Sequence, residues 1–127
     1  MEYGVDPINL IRARNRVLML KLVGAKCQEC GYDRYLGNLS FHHIGEKSFS
    51  LDNGAFRNKI QGVIAEARKC VVYCHNCHGE FHGGVISDRT TEHNLALNNA
   101  LDKIRDCRNW NEALDLVCMP RDYRPVS

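Results

Sequence analysis

No apolar run in this chain approaches the roughly 20 residues that a membrane-spanning helix needs, so no membrane partner is expected. The opening Met1-Glu2-Tyr3-Gly4-Val5-Asp6-Pro7 lacks the basic-then-apolar pattern of a secretion signal, and the expectation is a cytoplasmic protein. Charge of one sign is scarce as well: 17 Lys and Arg against 15 Asp and Glu leave a net charge of +2. That balance excludes no partner, because a nucleic-acid binder needs clustered positive charge rather than a high total. The chain carries no repeat and no low-complexity segment. Its 127 residues are read as one domain, 1–127, small enough for a metal staple to add usefully to a modest core.

Seven cysteines is an odd number, which argues against a fully paired disulfide framework. In a reducing compartment C-x-x-C pairs are more often metal ligands or redox sites than bridges. Four of the seven form two such knuckles, Cys27-Gln28-Glu29-Cys30 and Cys74-His75-Asn76-Cys77. Cys70, Cys107 and Cys118 sit among apolar neighbours and read as small buried hydrophobes.

The periodicities describe a mixed α+β chain. Asp6 as cap and Pro7 as first helical residue open a helix over about 7–23, with Ile8, Ile11, Leu18 and Leu22 as its apolar stripe and Gly24 as its stop. Leu39 and Phe41 alternate with Ser40 and His42 in a short strand that runs into His42-His43 and breaks at Gly45. Phe56, Ile60, Val63, Ile64 and Ala67 recur at helical spacing, predicting a helix from Asp52 to Lys69 with Arg57, Asn58, Gln61, Glu66 and Arg68 on its polar side. Cys70-Val71-Val72-Tyr73 is a second strand feeding the second knuckle. Cys77 to His82 has the length of a short helix stopped by Gly83-Gly84. Thr90 to Arg108 predicts a long helix with Leu97, Leu101 and Ile104 inward. Asn111 is the expected cap of a last turn or two before Pro120, and Arg121 to Ser127 is expected to be loosely held.

Two C-x-x-C knuckles offer the four tetrahedral thiolates of a structural zinc site, on Cys27, Cys30, Cys74 and Cys77. The long gap between the knuckles is tolerable because loop closure grows only logarithmically with length. A thioredoxin-like redox pair is the competing reading, but no βαβ pattern surrounds either knuckle. A second, open site is suggested by the histidines. His78 and His82 are four apart and share a helix face, and His42 at the strand end completes a three-imidazole set with room for water and substrate. His43 points elsewhere from the same strand end, facing the cavity without binding the ion. With a reference pKa of about 6.5 it suits general-base work. Metal, base and open coordination positions are the parts of metal-assisted hydrolysis. Any one of these histidines alone would more simply be an ordinary core or surface residue. His75 lies inside a knuckle, positioned for a cysteine sulfur or a phosphate, and His93 reads as exposed on a helix.

In order, C-x-x-C, a strand ending in His42-His43, and a strand ending in C-x-x-C-H-x-x-x-H resemble the HNH endonuclease family, the ββα-metal or His-Me finger nucleases with a four-cysteine zinc clamp. Small phage and bacterial members are the most similar, through Cys30-Gly31-Tyr32-Asp33 and Lys47-Ser48-Phe49. The resemblance covers about residues 26–84, flanked by the N-terminal helix and by C-terminal helices over about 89–118. It implies a ββα-metal core with a four-cysteine zinc site and an inserted helix between the strands, in a bacterial cell or phage-infected host. It further implies that His42 and His78 hold one catalytic divalent ion, that His82 is the second helical ligand of some members, and that His43 is the general base. The family's central Asn, which steadies the loop carrying the base, falls at Lys69 here. That departure leaves a Lys ammonium to serve the His43 loop carbonyl, with Asn58 and Asn76 as alternative amides.

The implied function is DNA phosphodiester hydrolysis leaving 5′-phosphate and 3′-hydroxyl ends, by nicking or low-specificity cutting. An all-imidazole site suits Zn, Ni or Mn better than Mg. DNA contacts are expected from Arg12 and Arg16 on the first helix and Arg57 and Arg68 on the inserted one, against the plain alternative of solvated helix faces. A homodimer would let so small a chain cut both strands. The alternatives are a non-catalytic zinc-clamped DNA- or protein-binding module, which the Lys69 departure keeps open, and a redox or metal-storage protein with accessible thiols.

Overall fold

The first helix, α1 (Pro7–Leu22), opens the computed structural model, which describes residues 7–85 and 88–124; the proposed Asp6 cap lies outside them. Its buried face differs from the expected stripe. Asn15 and the run Val17, Leu18, Met19 and Leu20 are buried, whereas Ile11 is exposed and Ile8 and Leu22 are half-buried. The reason is packing: the end of α1 is sunk against the 3₁₀ turn Asn53–Arg57, and the Asn15 amide donates to the Phe56 carbonyl at 2.8 Å. The helix stops as expected at Gly24, whose φ of +100° lets Gly24 N–H reach Lys21 O and Ala25 N–H reach Leu20 O, a Schellman close.

The first knuckle then hangs on the sheet. Gln28 N–H donates to Val72 O and the Gln28 side chain accepts from Val72 N–H, both at 2.8 Å. The sheet has two antiparallel strands, β1 (Leu39–His43) and β2 (Cys70–Cys74), with Leu39 opposite Cys74 and His43 opposite Cys70. Every residue of β2 is buried, because α2 (Ile60–Ala67), α3 (His75–His82) and α4 (Thr90–Leu101) all pack on it.

The helix expected over 52–69 is broken. Asp52 caps the 3₁₀ turn by accepting from Gly54 N–H, Asn58 is extended, and α2 begins only at Ile60. Asn58 and Lys59 interrupt it because Trp110 Nε1 claims the Asn58 carbonyl at 2.8 Å. The helix expected to reach Arg108 also shortens: α4 ends at Leu101 and a 3₁₀ turn Asp102–Ile104 follows, the Gln61 amide taking the Arg105 and Cys107 carbonyls. The cap of α5 (Trp110–Leu116) is Asn109 rather than Asn111, its side chain accepting from Glu112 N–H. The tail is tied down as far as Tyr123, with Arg14 donating to Arg121 O and the Lys21 ammonium 5.0 Å from the Tyr123 ring centroid.

Cys70 and Cys107 are buried as expected, but Cys118 is exposed and sits at φ +58°. It occupies the left-handed position of a second Schellman close, Met119 N–H to Leu114 O and Cys118 N–H to Asp115 O, where a β-carbon is unfavourable. Cys118→Gly should therefore raise stability by about 1 kcal/mol in urea unfolding, whereas Cys118→Val should lower it.

Candidate metal and imidazole centre

The sulfurs of Cys27, Cys30, Cys74 and Cys77 lie within 4.8 Å of one another, the first two on the knuckle docked to β2 and the last two at the β2–α3 junction. Cys30 and Cys74 are 3.7 Å apart at sulfur, far beyond a disulfide bond. Their protonation is unequal. Burial opposes ionisation of Cys27, but backbone hydrogen bonds from Cys30, Cys74 and Glu29 outweigh it and lower that thiol. Burial, then the Cys27 and Cys30 sulfurs, push Cys77 well up. Four thiolates this close repel strongly unless a cation sits among them, and soft tetrahedral sulfur donors are what a metal ion would meet here.

Further along α3, His78 and His82 share one helix face and meet His42 from β1, with their ring nitrogens also within 4.8 Å. The His42 and His78 rings stack at 3.5 Å between centroids, and those of His78 and His82 stand 4.3 Å apart. Burial, followed by the neighbouring His78 and His82, pushes His42 down to about 3, partly offset by a backbone hydrogen bond with Tyr73. His78 is lowered by burial first and then by His82 and His75. Both rings are therefore neutral, the state in which imidazole binds metal. Among the described residues His42 Nε2 is buried without a hydrogen-bond partner, an orphaned lone pair or N–H that costs free energy unless an ion or water completes it. The residues present fit a metal ion.

These imidazoles line a cleft of about 610 Å³ together with Arg16, His43, Lys47, Ser50 and Asp52. His43 is brought to the cleft without joining the three-ring cluster. Its Nε2 lies 2.7 Å from Glu66 Oε2, and Glu66 is 2 % exposed. Glu66 was expected on the polar side of its helix. It sits three residues from Val63 at the margin of the buried arc, and the loop after β1 folds over it: Ser48 and Phe49 N–H donate to Oε2 at 2.9 and 3.4 Å, and Lys69 Nζ to Oε1 at 3.0 Å. Burial alone would raise this carboxyl; the Ser48, Lys69, His43 and Phe49 hydrogen bonds overcome it and hold it at about 2.

Lys69 is thus placed differently from expectation. Its ammonium serves Glu66 and the Ser48 hydroxyl, while its backbone carbonyl accepts from Ile44 N–H at 2.9 Å. Neither alternative amide stands in: Asn76 is exposed on α3, and Asn58 is the extended residue before α2. Among the four candidate DNA-contacting arginines, Arg16 alone lines the cleft, its guanidinium anchored on the Leu39 carbonyl. Arg57 is exposed on the 3₁₀ turn, and Arg12 donates to Asn9. Arg68 is turned to α4, where it clasps Asn98 and Asp102. His93, expected to be exposed, is buried against Tyr73, with Nδ1 3.2 Å from the phenol oxygen; burial lowers its pKa. His75 is exposed.

Glu66 makes an acid-side prediction. Its carboxyl is depressed in the fold, so its stabilisation is complete above the unfolded value of about 4.5 and is lost as pH falls toward about 2. The stability gap between wild type and Glu66→Gln, from urea melts, should narrow over that window; thiolate protonation affects both proteins and cancels.

No family model, curated protein or solved structure matches this chain.

Proposed function

We propose that the chain is a metal-dependent DNA endonuclease of the HNH type, built on a ββα-metal core of β1, β2 and α3. The observation that carries the reading is the convergence of His42, His78 and His82 beside an unligated His43 whose ring is held by a buried carboxylate. In this reading Cys27, Cys30, Cys74 and Cys77 hold a structural zinc ion that closes the α3 end of the sheet. His42, His78 and His82 hold one catalytic divalent ion, which when bound supplies Lewis-acid stabilisation of charge on the phosphate and the leaving oxygen.

The chain's own residues do the rest. His43 takes a proton from a water molecule in the cleft, and the resulting hydroxide attacks the phosphorus in line, breaking the bond to the 3′ oxygen. That oxygen leaves and is protonated, giving 5′-phosphate and 3′-hydroxyl ends. Arg16 and Lys47, which line the same cleft, meet backbone phosphates without reading sequence. Lys69 acts through Glu66 rather than on reacting atoms.

A supercoiled-plasmid assay with Mn, Mg, Ni and Zn tests the proposal. Nicking should appear with at least one ion, and His43→Ala should reduce it by at least roughly a hundredfold while the fold and the metal content stay intact. Inactivity with every ion would favour the non-catalytic binding module. The clamp has a separate test: one zinc should copurify per chain, and a thiol reagent should titrate Cys118 readily in the native protein while the four clustered sulfurs stay protected. Rapid native reaction of those four would instead indicate a redox or metal-storage role.

A further inference from the structure

We propose that Glu66 is a positioning residue for His43: its carboxylate holds the neutral ring in the Nε2–H tautomer, leaving Nδ1 as the nitrogen that accepts the proton. The ring state follows from the donor and acceptor inventory alone; its use rests on the nuclease reading above. An ionised carboxylate only accepts. Glu66 Oε2 already accepts Ser48 and Phe49 N–H, and Oε1 accepts the Lys69 ammonium, so the carboxylate stays anionic in its 3 % exposed site. A ring nitrogen 2.7 Å from that oxygen must therefore carry hydrogen. In a neutral imidazole the other nitrogen then holds the lone pair.

Loop anchoring alone does not account for this arrangement. The two loop N–H groups and the ammonium would already engage both Glu66 oxygens, yet the ring is a further partner at the shortest distance of the set. The backbone at His43 is fixed separately, by the ladder to Cys70 and by Ile44 N–H on Lys69 O. Those bonds decide where the residue sits. They leave rotation of the ring free, and Glu66 is the group that sets it. Glu66 does not line the cleft, so its influence on a substrate passes through His43.

Long-range ¹H–¹⁵N NMR correlations of the His43 ring, recorded on the purified protein at mildly alkaline pH, read the tautomer directly. Wild type should show hydrogen on Nε2, and Glu66→Gln should keep that pattern because its amide oxygen still accepts. Glu66→Ala should lose the pattern and drop kcat for nicking by roughly a hundredfold with little change in KM, most of which Glu66→Gln restores. Hydrogen on Nδ1 in wild type, or a wild-type ring pattern and kcat in Glu66→Ala, would overturn the proposal. Should Glu66→Ala not fold, the wild-type ring assignment still decides. Absence of cleavage with every ion would remove the nuclease reading and leave the tautomer to be judged by the same spectrum.

Discussion

The register between β1 and β2 is the constraint on which the site depends. Side chains alternate along a strand, so a one-residue slip would exchange the faces of His42 and His43. In the observed pairing His42, opposite Val71, turns to the α3 imidazoles, while His43, opposite Cys70, turns to Glu66 on α2. Two adjacent histidines thereby acquire different partners from one ladder. A two-stranded sheet is marginal by itself. This one is supported by burial of the whole of β2 beneath three helices.

Each end of the ladder is also pinned by polar chemistry. Toward the Leu39–Cys74 end, Gln28 fastens the first knuckle to Val72 at the middle of β2 and so delivers Cys27 and Cys30 to the sulfurs of Cys74 and Cys77. Arg16 reaches across to the Leu39 carbonyl at the same end. At the His43–Cys70 end, Ile44 N–H closes on Lys69 O and Glu66 gathers the loop above it. The proposed zinc clamp and the Glu66 network therefore act on one register from opposite directions. The nuclease site in our proposal lies between them, on rigid elements rather than on a free loop.

Much of this was legible in the sequence where spacing and geometry coincide. C-x-x-C pairs bring two sulfurs together wherever they fold, and residues four apart on a helix share a face, so both ligand sets could be written from residue numbers. Strand alternation likewise separated His42 from His43. What could not be read were contacts that depend on how segments fold over one another. Glu66 looks like a solvated helix residue until the Ser48–Phe49 backbone is laid on it, and no local pattern announces that loop. His93 escaped for a similar reason, since its burial depends on Tyr73 across the domain. Helix lengths were overestimated where apolar periodicity continued but a tertiary bond took the backbone: Trp110 on Asn58, Gln61 on Arg105 and Cys107. Lys69 shows the limit of carrying a role by alignment position, because its side chain found a carboxylate three residues away.

The electrostatics of the cleft complete the physical picture. Burial and crowding by like groups hold His42 neutral down to about pH 3, while four hydrogen bonds hold Glu66 anionic down to about pH 2. These two residues are thus held in opposite states, His42 neutral and Glu66 anionic. Both conditions hold together across the whole neutral range, so a neutral His42 and an anionic Glu66 coexist without competing for protons. The Glu66 oxygens are saturated by Lys69, two backbone N–H groups and His43, which keeps the charge directed at the ring. Pairs of groups whose environments push their protonation apart are where acid–base roles divide, and in our proposal that division follows the alternation of His42 and His43 along β1.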